Sequence, residues 1–156
     1  MSNQQTQPQV LTELKLSAAL KEVVDKALER GRMMSVAYVS ADGRPELSFR
    51  GSVQAYSDTQ LAIWVRNPQG GIVAAVRAGK THIALLYGEI RPDAKTFLSF
   101  RGRGRIETSG EVRRAVYDHS PELERNLDKD RGGVPLLIDL DSVDGFFGGA
   151  VLKMRR

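Results

Sequence analysis

Between Glu46 and Ala78 the chain reads ELSFRGSVQAYSDTQLAIWVRNPQGGIVAAVRA, two alternating segments that feed a glycine-rich turn and then a short apolar helix. In LSFRGSVQAY, Leu47, Phe49, Gly51, Val53 and Ala55 alternate with Ser48, Arg50, Ser52 and Gln54. That period of two predicts a half-buried strand with Arg50 on its polar face. In TQLAIWVRN, Leu61, Ile63 and Val65 share one face, while Ala62, Trp64 and Arg66 share the other. Asn67, Pro68, Gln69, Gly70 and Gly71 then break the strand. The first backbone donors of a helix lack partners and the helix dipole is positive there, so such a turn attracts anions. The stretch therefore predicts a scaffold for a phosphate, with Gly70 and Gly71 as backbone donors. Arg50 and Arg66 are guanidinium forks able to bind phosphate oxygens bidentately.

The flanking sequence predicts more strands than helices. Residues 1–9 are rich in glutamine and predict a disordered tail ahead of one domain over 10–156. Ser17 caps a helix whose stripe is Leu20, Val23, Val24, Ala27 and Leu28, with Gly31 closing it. MMSVAYVS is a strand, and Asp42-Gly43 a hairpin turn into the strand that carries Arg50. A helix follows from Gly71 to Ala78. THIALLYG reads as a strand buried on both faces, Arg91-Pro92-Asp93 as a turn, and TFLSFRGRGRIE as a long strand with arginines on one side and glycines on the other. Helices begin at Ser109 and at Ser120-Pro121; VPLLIDL and VDGFFGGAVLKM close the chain as two strands turning near Asp144-Gly145. This order is not a βαβ alternation. It predicts an antiparallel barrel with peripheral helices.

Composition narrows the chemistry. With no cysteine, disulfides, thiolate catalysis and Cys-based zinc sites are excluded, so redox work needs a bound cofactor. The polar N-terminus has no apolar signal region and no segment reaches the length of a membrane span, which predicts a cytoplasmic protein with no membrane partner. His82 and His119 stand apart without a metal-binding spacing, and DLDSVDGF misses that of an EF-hand. Neither a dinucleotide fingerprint nor a nucleophile elbow is present. Net charge is +4, with 19 acidic residues set against 23 basic ones. Arg101, Arg103 and Arg105 form a basic strip, but only Phe97 shares their parity, so nucleic acid is not the expected partner.

The order of a strand with Arg-Gly-Ser-Val, a strand with Ile-Trp-Val-Arg-Asn, a small-residue turn and a helix resembles the pyridoxamine 5'-phosphate oxidase-like family of FMN-binding split barrels. FRGRGRIETSGEVRRAVYDHSPELE and GVPLLIDLDSVDGFF resemble that family's later strand, helix and terminal strands. The likeness runs in order from about Leu16. It implies a mainly β fold, an antiparallel split β-barrel, with FMN or a deazaflavin as cofactor, a homodimer with the flavin at its interface, and oxidoreductase activity on a small-molecule substrate. The cofactor-binding residues implied are Arg50, Gly51, Ser52, Val53, Trp64, Val65, Arg66, Asn67, Gly70 and Gly71. Ser52 falls near the ring or ribityl chain, and no side chain is assigned as acid or base. The family's basic Ser-Arg-Lys at the phosphate turn is replaced here by Gln69, Gly70 and Gly71. Its C-terminal Arg-Leu-His-Asp-Arg pattern has no counterpart, which argues against pyridoxamine-phosphate oxidation itself.

Two alternatives stay open at this level. Arg50 and Arg66 are either a phosphate clamp or solvated strand arginines, and Trp64 either flanks a ring or fills a core. A cofactor-free module using the arginine strip for an anionic partner is the competing reading. The dimer is also expected from surface cover. Strands around Gly102 to Ile106 and Val134 to Leu140 exceed what short helices can bury in one chain.

Overall fold

The computed structural model describes residues 11–156, so the tail expected over residues 1–9 lies outside the described residues. The elements run β1 (Thr12–Glu13), α1 (Ala18–Asp25), β2 (Met34–Val39), β3 (Pro45–Arg50), β4 (Gln54–Ala55), β5 (Gln60–Val65), α2 (Gly71–Arg77), β6 (His82–Arg91), β7 (Ala94–Ile106), α3 (Gly110–His119), α4 (Glu122–Asn126), β8 (Val134–Phe147) and β9 (Ala150–Arg155). Hydrogen bonding orders the sheet β1-β9-β8-β7-β6-β2-β3, with β5 joined to both β8 and β4. Every pairing is antiparallel except that of β1 with β9. Among the described residues the ladder does not close on itself: β3 pairs with β2 alone, and β4 with β5 alone.

The helices form where the caps and apolar spacing require. Ser17 accepts a hydrogen bond from Leu20 N at 3.2 Å and starts α1, whose Leu20, Val23 and Val24 are buried. Ser109 does the same for Val112 N at the head of α3. Gly79, at φ +85°, ends the turn after α2, a conformation that L side chains rarely adopt. The main core gathers the inward residues of β2, β6, β7 and β8 with α1 and α2, including Val36, Leu85, Phe100 and Ile138. A second cluster, Ala62, Trp64, Val116, Tyr117 and Leu137, lies between β5, β8 and α3.

Five expectations are corrected. LSFRGSVQAY is two strands, because the chain leaves β3 after Arg50 and crosses Gly51 to Val53 before β4. The sides of β3 are also reversed. Leu47 and Phe49 are 73% and 68% exposed, while Ser48 Oγ and Arg50 Nε are buried. β6 is half-buried, with Ile83, Leu85 and Tyr87 inward and Leu86 outward; β5, by contrast, is covered on both faces and has a core on each side. Gly145 makes no turn. It lies inside β8 at φ +152°, where a Cβ would run into Phe97 O, and the turn is at Gly148 and Gly149. Finally, the apolar residues and glycines of Gly102 to Ile106 and Val134 to Leu140 are buried or partly buried within the chain, and only Arg103 and Arg105 of these stretches are exposed, so the apolar surface there does not need a second copy to cover it. The glycines do admit close neighbours: a Cβ on Gly104 would lie 2.5 Å from Ile83 Cδ1.

Candidate functional site

The seam between β3 and β4 holds a cavity of about 340 Å³. Arg50 enters it as the last residue of β3, Gly51 and Ser52 lie in the crossing between β3 and β4, and Trp64, Arg66 and Asn67 come from β5 and its exit. Of the ten residues singled out in the sequence, these six are brought together. Val53 and Val65 face the core instead. Gly70 and Gly71 stand apart at the start of α2, where a Cβ on Gly71 would lie 2.6 Å from Tyr38 Oη. Three cavity residues carry no sequence signal of their role: Met33, Phe49 and Glu124. Phe49 was assigned to a core-facing side, and Glu124 sits in a polar five-residue helix with no motif around it.

Several of the ten are committed to structure. The Ser52 hydroxyl donates to Trp64 O at 2.9 Å and accepts from Trp64 N at 3.1 Å, extending by one step the short β4–β5 ladder. Its proton and one of its lone pairs are thus committed to Trp64, whose N–H and C=O are bonded there in turn. Asn67 Oδ1 accepts from Gln69 N at 2.9 Å and Asn67 O from Gly70 N at 2.9 Å, which folds the turn. Trp64 is 3% exposed, meets Tyr117 edge-on at 5.2 Å between ring centroids, and donates from Nε1 to Asp128 Oδ2 at 2.9 Å. Burial pushes the Asp128 carboxyl up. The bonds from Trp64, Gly132 and Gly133, with the charge of Arg66, outweigh burial and hold it below the usual aspartate value.

The two arginines differ. Arg66 is half-exposed, and its Nε lies 4.0 Å from Glu124 Oε2. Arg50 is turned inward, with a buried Nε that has no partner among the described residues. Burial holds its guanidinium below the ordinary arginine value; Tyr38 and Glu124 pull it up, and Arg66 pushes it further down. A buried, unpartnered donor beside a second guanidinium fits an incoming anion, because unmade hydrogen bonds of buried groups cost about 1–3 kcal/mol. Met33 and Phe49 add an apolar wall.

The arginine strip on β7 has its own carboxylates. Arg101 lies 3.8 Å from Asp144, Arg103 binds Asp141 through Nε and Nη2, and Arg105 Nε lies 3.0 Å from Asp139 and pairs also with Glu107. The register of β7 on β8 skips Asp141, which brings that carboxylate to Arg103. Each such exposed pair contributes about 0–1 kcal/mol, yet together they cancel the field that would draw a polyanion. Among the described residues no group of His, Asp and Glu could hold a metal ion, and no helix is long and apolar enough to cross a membrane.

No family model and no curated protein matches the sequence. Solved structures do match the fold. An FMN-binding protein from Syntrophomonas wolfei superposes with a TM-score of 0.61 at 8% identity, over 83% of this chain and 87% of its own. HupZ from Group A Streptococcus gives 0.60 at 15% identity, over 87% and 98%. A Clostridium acetobutylicum protein related to general stress protein 26, of the pyridoxinephosphate oxidase family, gives 0.58 at 9%, over 86% and 95%. The chain therefore has the split-barrel fold of the pyridoxamine 5'-phosphate oxidase-like proteins.

Proposed function

We propose that this chain is a flavin-binding protein of the split-barrel class, taking FMN or a deazaflavin in its place, and acts as a cytoplasmic oxidoreductase on a small molecule. The observation that carries the reading is Arg50, an arginine turned inward at the open seam with its Nε buried and unpartnered, in the same cavity as Arg66. The two guanidiniums hold the phosphate, and Arg50 Nε gains the bond it lacks. Met33 and Phe49 give the ligand an apolar wall. When bound, the flavin supplies the hydride or electron transfer. The Gly70-Gly71 turn is left out of the phosphate site.

The working unit is a homodimer. Across β3, β2, β6 and β7 the outward residues Leu47, Phe49, Val39, Leu86, Ile90 and Phe97 remain exposed, and the register places Phe49, Ser35 and Leu86 in one row. An apolar sheet face of this kind marks an interface. Phe49 belongs to both this face and the arginine cavity, so a second copy seated here would wall the site.

The test is a pair of titrations, FMN and riboflavin, on the wild type, Arg50→Ala and Arg66→Ala. A hydrogen bond to a charged group contributes roughly 1.5–3 kcal/mol, so each change should weaken FMN by about 10- to 150-fold and leave riboflavin nearly unaffected. Equal losses for both ligands would place the phosphate elsewhere.

A further inference from the structure

The arginine cavity already contains an anion. Glu124 is 8% exposed, and it is the only buried residue of α4. A helix whose single buried side chain is a carboxylate gains no hydrophobic energy from that burial, and desolvating the charge costs free energy unless cations repay it. The repayment here is incomplete. Arg66 Nε stands 4.0 Å away, the outer limit of an ion pair, and Arg50 Nε makes no hydrogen bond at all. Glu124 reaches the cavity over Gly51, whose missing Cβ is the space its Oε1 fills.

The rest of α4 does not bind that side chain in place. Leu123 and Leu127 are 62% and 56% exposed, and Pro121, at the N-cap, contributes no side-chain hydrogen bond. The backbone is tethered through Tyr117 Oη, which donates to Arg125 O at 3.2 Å and Asp128 O at 3.1 Å. A rotation of the Glu124 side chain about a fixed helix therefore suffices to empty the cavity.

We infer that Glu124 is a resident anion: its carboxylate occupies the place of a ligand's phosphate, and a phosphate-bearing ligand enters by displacing it from Arg50 and Arg66. The inference rests on reading this cavity as a phosphate site. A phosphate monoester brings a charge of about −1.5 to −2 and three acceptor oxygens, against one charge and two oxygens for the carboxylate. It can thus engage Arg50 Nε as well as Arg66, which Glu124 does not. In its absence Glu124 limits the repulsion between the two guanidiniums.

Trp64 is the only tryptophan and lines the cavity, so its fluorescence reports on the occupant. The experiment titrates inorganic phosphate, FMN and riboflavin into the wild type, Glu124→Gln, Glu124→Ala and Glu122→Gln at constant ionic strength. Glu122→Gln removes the same charge from an exposed position of the same helix. Removing the Glu124 carboxylate should tighten inorganic phosphate and FMN roughly ten-fold or more and leave riboflavin unchanged, with Glu122→Gln matching the wild type. Unchanged or weaker phosphate binding in both Glu124 variants makes Glu124 a structural partner of Arg66 and overturns the inference. An equal gain in Glu122→Gln makes the effect one of net charge and overturns it too. If phosphate tightens while no flavin binds any variant, the role of Glu124 stands and the flavin reading falls.

Discussion

Gly51 and Gly102 both lack a side chain where a neighbour comes close, and the neighbours differ in kind. A Cβ at Gly102 would strike the backbone oxygen of Asp139 and lie 3.0 Å from Ile138 Cγ2 inside a paired strand. Gly102→Ala should therefore cost about 1–3 kcal/mol in a denaturant melt. At Gly51 the obstacle is the far end of the Glu124 side chain, which can swing away, and alanine restricts the unfolded chain by about 0.4–1 kcal/mol. Gly51→Ala should be within about 1 kcal/mol of the wild type. Asp128 supplies a pH-dependent test at the same scale. Its folded value is depressed below the ordinary 3.8, so its stabilising effect is present above that pH and lost as pH falls through the folded value. Asp128→Asn should destabilise by about 1–3 kcal/mol near neutrality, because Trp64 Nε1, Gly132 N and Gly133 N lose a charged acceptor. That deficit should shrink steadily when the two proteins are melted at pH values below 3.8.

The elements were legible in proportion to how local their signals are. Ser17 and Ser109 cap the helices they announce, Asp42-Gly43 turns β2 into β3, and the glycines of β7 sit where a neighbour presses close. What alternation cannot reveal is which side of a strand faces inward. In β3 the apolar side faces out and the polar side faces the seam, so Arg50 was found but its burial was not. The break at Gly51 was hidden because Gly51, Val53 and Ala55 continue the period of two across it. Glu124 was invisible for another reason: ELERN reads as a solvated helix, and only the tertiary placement of α4 over Gly51 brings its one carboxylate into the cavity. Trp64 and Arg66 do point to one side, yet α3 and Asp128 cover the first and leave the second half-exposed.

At the scale of the molecule, the exposed sheet face predicts self-association. Sedimentation equilibrium at micromolar concentration should return twice the 17.2 kDa chain mass. Leu47→Asp combined with Leu86→Asp, which places charges on β3 and β6, the strands either side of β2 on that face, should return a single chain with unchanged far-ultraviolet circular dichroism. A monomeric wild type would remove the partner copy from the proposed site. One further consequence follows from β8. This strand keeps β7 on one side throughout, and on the other it takes β5 along Val134 to Asp139 and β9 along Ser142 to Phe147. The β5 strand, which ends beside Arg66, thus waits for a partner that lies some 70 to 80 residues later in the chain. Pairing over such separations must pay loop-closure entropy before it is rewarded, which places folding in the slow, millisecond-to-second range. During synthesis Arg66 has no fixed position until the β8 segment has left the ribosome, so the cavity is assembled only after a segment far downstream of its own residues has emerged.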